Sequence, residues 1–80
     1  SPEKARAGRF KRKCELVANR YLLSKKETEV LFLLAKGRNA AYIQDKLYIS
    51  SHTVKSHTYK IYRKLGVFDR QGMLDVILQE

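Results

Sequence analysis

The chain has 80 residues, with 17 Lys and Arg against 8 Asp and Glu, for a formal net charge of +9. A chain this short forms one small domain and leaves little room for an enclosed active-site cavity. Its 44% apolar content argues against global disorder, and a basic excess of this size points to an anionic partner, either nucleic acid or a membrane surface.

The charge is unevenly spread. Residues 1–20 carry seven basic and two acidic side chains, and residues 51–65 carry Lys55, Lys60, Arg63 and Lys64 with no acid. This polarity fits a nucleic-acid face. The single cysteine, Cys14, excludes an intrachain disulfide and suits a reducing cytoplasm. No apolar run approaches the roughly 20 residues of a membrane span, and the charged N-terminus has no secretory signal. Because it begins with Ser, the chain reads as a fragment of a longer protein.

In chain order, Phe10, Cys14, Val17, Ala18 and Tyr21 fall on one helical stripe. They predict a helix from about Arg9 to Arg20, with a start frayed by Gly8. This basic segment either packs on the core, the preferred reading, or forms an arm for DNA or a membrane surface. Ser24 and Glu27 match a capping box, Val30, Leu31 and Leu34 share a face, and Gly37 ends that helix. Asn39 caps a short helix to Leu47, with Ile43 and Leu47 inward. The short linker Tyr48-Ile49-Ser50 joins it to the next helix with helix-turn-helix geometry.

Ser50 caps a helix over 51–65, whose inward stripe is Val54, Thr58 or His57, Ile61 and Leu65; Gly66 stops it. Asp69 caps a last helix over about 70–78. No sustained period-two pattern predicts a strand, so the chain is all-α. Its organisation is a basic N-terminal linker or helix over 1–22 followed by a helix-turn-helix domain over 23–80.

Away from its inward stripe, the 51–65 helix presents His52, Lys55, Ser56, Tyr59 and Arg63, flanked by Lys60 and Lys64. An α-helix fits the DNA major groove, where its N-terminal half reaches base edges. Lys55, Ser56 and Tyr59 are therefore expected to face bases. Ser51 and Thr53, beside free N–H groups, are expected at phosphate, and Lys60, Arg63, Lys64 and Arg70 along the backbone.

Duller explanations apply elsewhere. His52 and His57 lie five apart, off same-face spacing, and no further ligand completes a metal site. Cys14 has no identifiable base and sits on an apolar stripe. The serines read as caps and contacts. No glycine-rich phosphate loop occurs. The expectation is a non-enzyme with neither metal nor cofactor.

Residues 23–73 resemble the LuxR-type (GerE-like) helix-turn-helix domain of bacterial transcription regulators. Leu23-Ser24, Glu27, Glu29-Val30-Leu31, Leu34-Ala35, Gly37, Ile43, Leu47 and Ile49-Ser50 carry the likeness. Thr53-Val54-Lys55, His57, Ile61-Tyr62, Lys64-Leu65-Gly66-Val67 and Arg70 complete it.

The resemblance implies a four-helix fold, here with an additional basic N-terminal helix, whose third helix enters the major groove of double-stranded DNA. It also implies a homodimer on inverted half-sites, with Met73, Val76 and Gln79 as candidate dimer surface, and a sensing or receiver domain upstream. The expected setting is the cytoplasmic nucleoid, with tethering through an N-terminal region left open. Three departures stand out: Gln44 where the family usually has Ala, Ala40 and Ala41 where Asn and Lys are frequent, and Gly72 where Glu is common. The alternative is a charge-driven protein-interaction module, for instance with RNA polymerase, using the same basic face.

Overall fold

The computed structural model describes residues 1–80 as five helices and no strand: α1 Pro2–Arg20, α2 Lys25–Ala35, α3 Ala40–Leu47, α4 Ser51–Leu65 and α5 Arg70–Leu78. Each begins at a residue whose side-chain oxygen accepts the backbone N–H three positions on. The five are Ser1, Ser24, Asn39, Ser50 and Asp69. Such a cap satisfies one of the free donors of a first turn and contributes about 1 kcal/mol. At α2 the capping box is complete: Ser24 Oγ accepts from Glu27 N–H at 3.1 Å, and Glu27 Oε1 accepts from Ser24 N–H at 2.8 Å.

The first four helices end alike. A left-handed residue follows each: Leu22 at φ 57°, Gly37 at 82°, Tyr48 at 55° and Gly66 at 73°. The next N–H reaches back five residues, from Leu23 to Ala18, Arg38 to Leu33, Ile49 to Gln44 and Val67 to Tyr62. This is the Schellman closure, which satisfies a terminal carbonyl and turns the chain sharply. Two of the four positions use glycine. Leu22 and Tyr48 carry side chains there and leave them exposed.

α1 starts earlier than the apolar stripe predicts. Ser1 caps it, Pro2 fits its first turn and Glu3 faces the positive end of the helix dipole. These signals offset the cost of Gly8. α1 packs inward from Phe10 onward, with Cys14, Val17 and Ala18 buried. Residues 1–9 are exposed throughout.

The core gathers these three with Val30, Leu31, Leu33 and Leu34 of α2, Ile43 of α3, Val54, Ile61 and Leu65 of α4, and Met73 and Ile77 of α5. α2 is the central element and packs on α1, α4 and α5, while α3 packs on α4. The last residue of α1 is tied to the end of the chain: Arg20 pairs with Glu80 at 2.9 Å.

Met73 corrects an expectation. It is fully buried, so it is core rather than dimer surface. Met73 and Ile77 lie four apart and both point inward, which leaves Val76 half-buried and Gln79 exposed on other sides of α5. Gly72 also has a packing role. A Cβ there would stand 3.0 Å from Val67 Cβ, so its absence lets the first turn of α5 approach the turn after α4.

Candidate nucleic-acid interface

α4 is held from three sides. Val54, Ile61 and Leu65 are buried beneath it, Thr58 is half-buried with its hydroxyl donating to Val54 C=O at 2.8 Å, and α2, α3 and α5 pack around it. The opposite face is open. His52, Lys55, Tyr59, Lys60 and Arg63 are exposed, with Ser56 half-buried among them. No Asp or Glu occurs from Ser51 to Leu65, so this face holds cations and hydrogen-bonding groups with no carboxylate to repel phosphate.

At the N-terminal end, Ser50 Oγ accepts from Thr53 N–H at 3.0 Å and donates to Thr53 Oγ1 at 2.8 Å. The Thr53 hydroxyl thus accepts from Ser50 and keeps its own proton for an outside acceptor. Ser51 is exposed in the same turn. A helix N-terminus with free N–H groups favours an anion.

Lys55, Tyr59 and Arg70 line one cleft of about 390 Å³, floored by Leu34, Val54 and Thr58 and bounded by Ala40. The structure therefore joins two expected base-facing residues to an expected backbone-facing one from the next helix. Lys60 and Arg63 stand further around the open face.

Lys64 departs from its expected place on the DNA backbone. Its ammonium donates to Glu27 Oε1 at 2.7 Å and to Leu22 C=O at 3.1 Å. At about 100° per residue, Lys64 is turned away from Arg63 toward the start of α2. Burial alone would raise the Glu27 carboxyl, but hydrogen bonds from Lys64 and Ser24 outweigh it and hold it below its ordinary value. Lys64 thus fastens the C-terminal end of α4 to the capping box of α2.

His57 is half-buried, and its Nδ1 has no protein hydrogen-bond partner. No three His, Cys, Asp or Glu side chains come together in a metal-holding cluster. Burial, with the Glu15 charge second, pushes the Cys14 thiol up to about 11, so it is not a thiolate at neutral pH. The sequence reading overlooked Phe68, an exposed apolar residue in the α4–α5 turn; Leu78, at the end of α5, is exposed as well. Only its lack of a place in any apolar stripe marks Phe68.

The family model for bacterial regulatory proteins of the luxR family matches residues 21–77. Over 64 residues the chain is 41% identical to the probable transcriptional regulatory protein NarL of Mycobacterium tuberculosis, covering 80% of this chain and 29% of that protein. Over 59 residues it is 37% identical to the oxygen regulatory protein NreC of Staphylococcus aureus, covering 74% of this chain and 27% of that protein. The chain thus spans less than a third of the length of these curated relatives. No solved structure is matched. The all-helical fold, the α3–turn–α4 unit and the match over most of the chain agree, and the protein belongs to the luxR family of bacterial regulatory proteins, a helix-turn-helix DNA-binding family of transcription regulation.

Proposed function

We propose that this chain is the effector domain of a bacterial transcription regulator and binds double-stranded DNA sequence-specifically, with α4 in the major groove. The observation that carries this reading is the composition of the α4 face: exposed cations and hydrogen-bonding side chains, no carboxylate, on a helix pinned by a buried apolar stripe. Lys55, Ser56 and Tyr59 read base edges. Ser51 and Thr53 at the helix start, and Lys60, Arg63 and Arg70 around it, neutralise phosphates and set the register. Lys64 acts from within by holding α4 against α2.

Two copies bind inverted half-sites through α5, where Val76 and Gln79 are joined by the exposed Leu78. A sensing or receiver domain precedes the chain in the whole protein, consistent with the short share of NarL and NreC that it matches.

The test is selection of bound duplexes from a randomised pool, followed by titration of the winner across salt. An enriched inverted repeat that binds well above random duplex is the expected result. Steep salt dependence with no enriched sequence would overturn the reading and leave a basic protein-interaction module.

A further inference from the structure

On the side of the domain away from the α4 face, α1, α2 and α3 enclose a groove of about 360 Å³. Its floor is apolar, made by Cys14, Leu33, Leu47 and the half-buried Phe32. Its rim is cationic. Lys11 and Lys36 both place their ammonium over the Phe32 ring, at 5.6 and 5.1 Å from the centroid. Arg38 stacks on Tyr42, another lining residue, at 4.7 Å, and Lys46 lies in the same wall.

These four cations are free of carboxylate partners. Arg20, Lys26 and Lys64 each have a carboxylate within salt-bridge distance, whereas Lys11, Lys36, Arg38 and Lys46 have none. Two acids also line the groove. Glu29 is taken by Lys26 at 3.1 Å, and Glu15 stands alone. With two ammonium groups over one ring and no carboxylate paired to either, an anion brought to this rim finds unpaired positive charge beside apolar surface.

We propose that this groove seats an acidic segment of a partner protein, which inserts an apolar side chain over Phe32, Leu33 and Leu47 and lays its carboxylates against Lys11, Lys36, Arg38 and Lys46. The concave apolar floor favours a peptide over a duplex, whose backbone offers no apolar group to fill it. The groove is also remote from the α4 face. On α3, Ala40 bounds the α4 cleft while Tyr42 lines the groove; on α2, Leu34 floors the cleft while Phe32 and Lys36 line the groove. Residues two apart on a helix point about 200° apart. DNA on α4 therefore leaves the groove open, and the domain holds duplex and acidic segment together.

The probe is a fluorescent glutamate-rich peptide with a central leucine and phenylalanine, titrated into the 80-residue chain alone and with bound duplex. A control peptide keeps the glutamates and replaces both apolar residues with serine. The expected result is saturable binding of the first peptide, undisturbed by duplex, with the control about tenfold weaker. The Lys11→Gln, Lys36→Gln, Lys46→Gln triple variant, changed only at exposed positions, loses about tenfold in peptide affinity and keeps the salt slope of DNA binding. Equal binding of both peptides, displacement by duplex, or an unaffected triple variant overturns the proposal. A reduced DNA salt slope in that variant also overturns it, because it assigns these lysines to phosphate.

Discussion

Lys64, at the C-terminal end of α4, holds the Glu27 carboxylate of the α2 capping box at 2.7 Å, across 37 positions of sequence. One carboxylate thereby serves two structures: Oε1 accepts from the Ser24 backbone and from Lys64. Lys64→Ala leaves Glu27 buried with its cation gone. The expected destabilisation is about 1–3 kcal/mol, toward the lower end because the Lys64 side chain is itself 38% exposed. Chemical denaturation checks it. A midpoint equal to wild type would show that the pair contributes nothing.

The same carboxylate gives the fold an acid limit. Glu27 titrates below its ordinary value in the folded chain, so the unfolded chain binds the extra proton and stability rises with pH through this range. The contribution is complete above the unfolded carboxyl value of about 4.3 and is lost as pH falls through the lower folded value. Denaturation midpoints of wild type and Glu27→Gln measured from pH 7 down to pH 3 should converge at the acid end. Parallel curves would remove Glu27 from the acid response.

Neighbouring cations on α4 should separate by role. Arg63→Ala is expected to weaken all duplexes alike and to lower the salt slope by about 1, whereas Lys64→Ala leaves the slope unchanged. Lys55→Ala is expected to cost about 1–3 kcal/mol and to relax preference at one base position. Anisotropy titrations on the selected duplex and on single-base variants distinguish these outcomes. A slope change in Lys64→Ala equal to that in Arg63→Ala would return Lys64 to the phosphate set.

Which features were legible in the sequence follows from the range of the forces that fix them. The starts of α2, α3, α4 and α5 are set by Ser24, Asn39, Ser50 and Asp69, each acting within three residues, so local reading finds them. The start of α1 was missed because its stripe begins only at Phe10, and the cap, Pro2 and Glu3 lie before any apolar periodicity. The engagement of Lys64 was illegible because its partner belongs to another helix. Met73 was placed on the dimer surface by the family resemblance, and α5 carries Met73, Leu74, Val76, Ile77 and Leu78 around so much of its girth that its own pattern could not correct this. Periodicity cannot orient so short a helix; its packing on α1, α2 and α4 does.

The turn between α3 and α4 holds a correctable strain. Tyr48 adopts φ 55° and is 92% exposed, so its ring contributes almost no packing while its Cβ crowds the left-handed backbone. Tyr48→Gly relieves that crowding, partly offset by the greater freedom of glycine in the unfolded chain. A net gain of about 0.5–1 kcal/mol is expected, read as a higher Tm. A fall in Tm would mean that the ring makes a stabilising contact despite its exposure.

α5 should divide into a packing face and an association face. Met73→Ala removes a fully buried side chain and is expected to cost about 2–5 kcal/mol. Leu78→Glu changes a side chain that is 59% exposed and should leave the denaturation midpoint within about 0.5 kcal/mol of wild type. On a duplex carrying two inverted half-sites, Leu78→Glu sets like charges opposite each other across a two-fold axis and should abolish cooperative binding, while single half-site affinity stays unchanged. Because this variant keeps its fold, lost cooperativity cannot be ascribed to unfolding. Retained cooperativity would place the contact between copies elsewhere, with the exposed Phe68 of the α4–α5 turn as the next position to change.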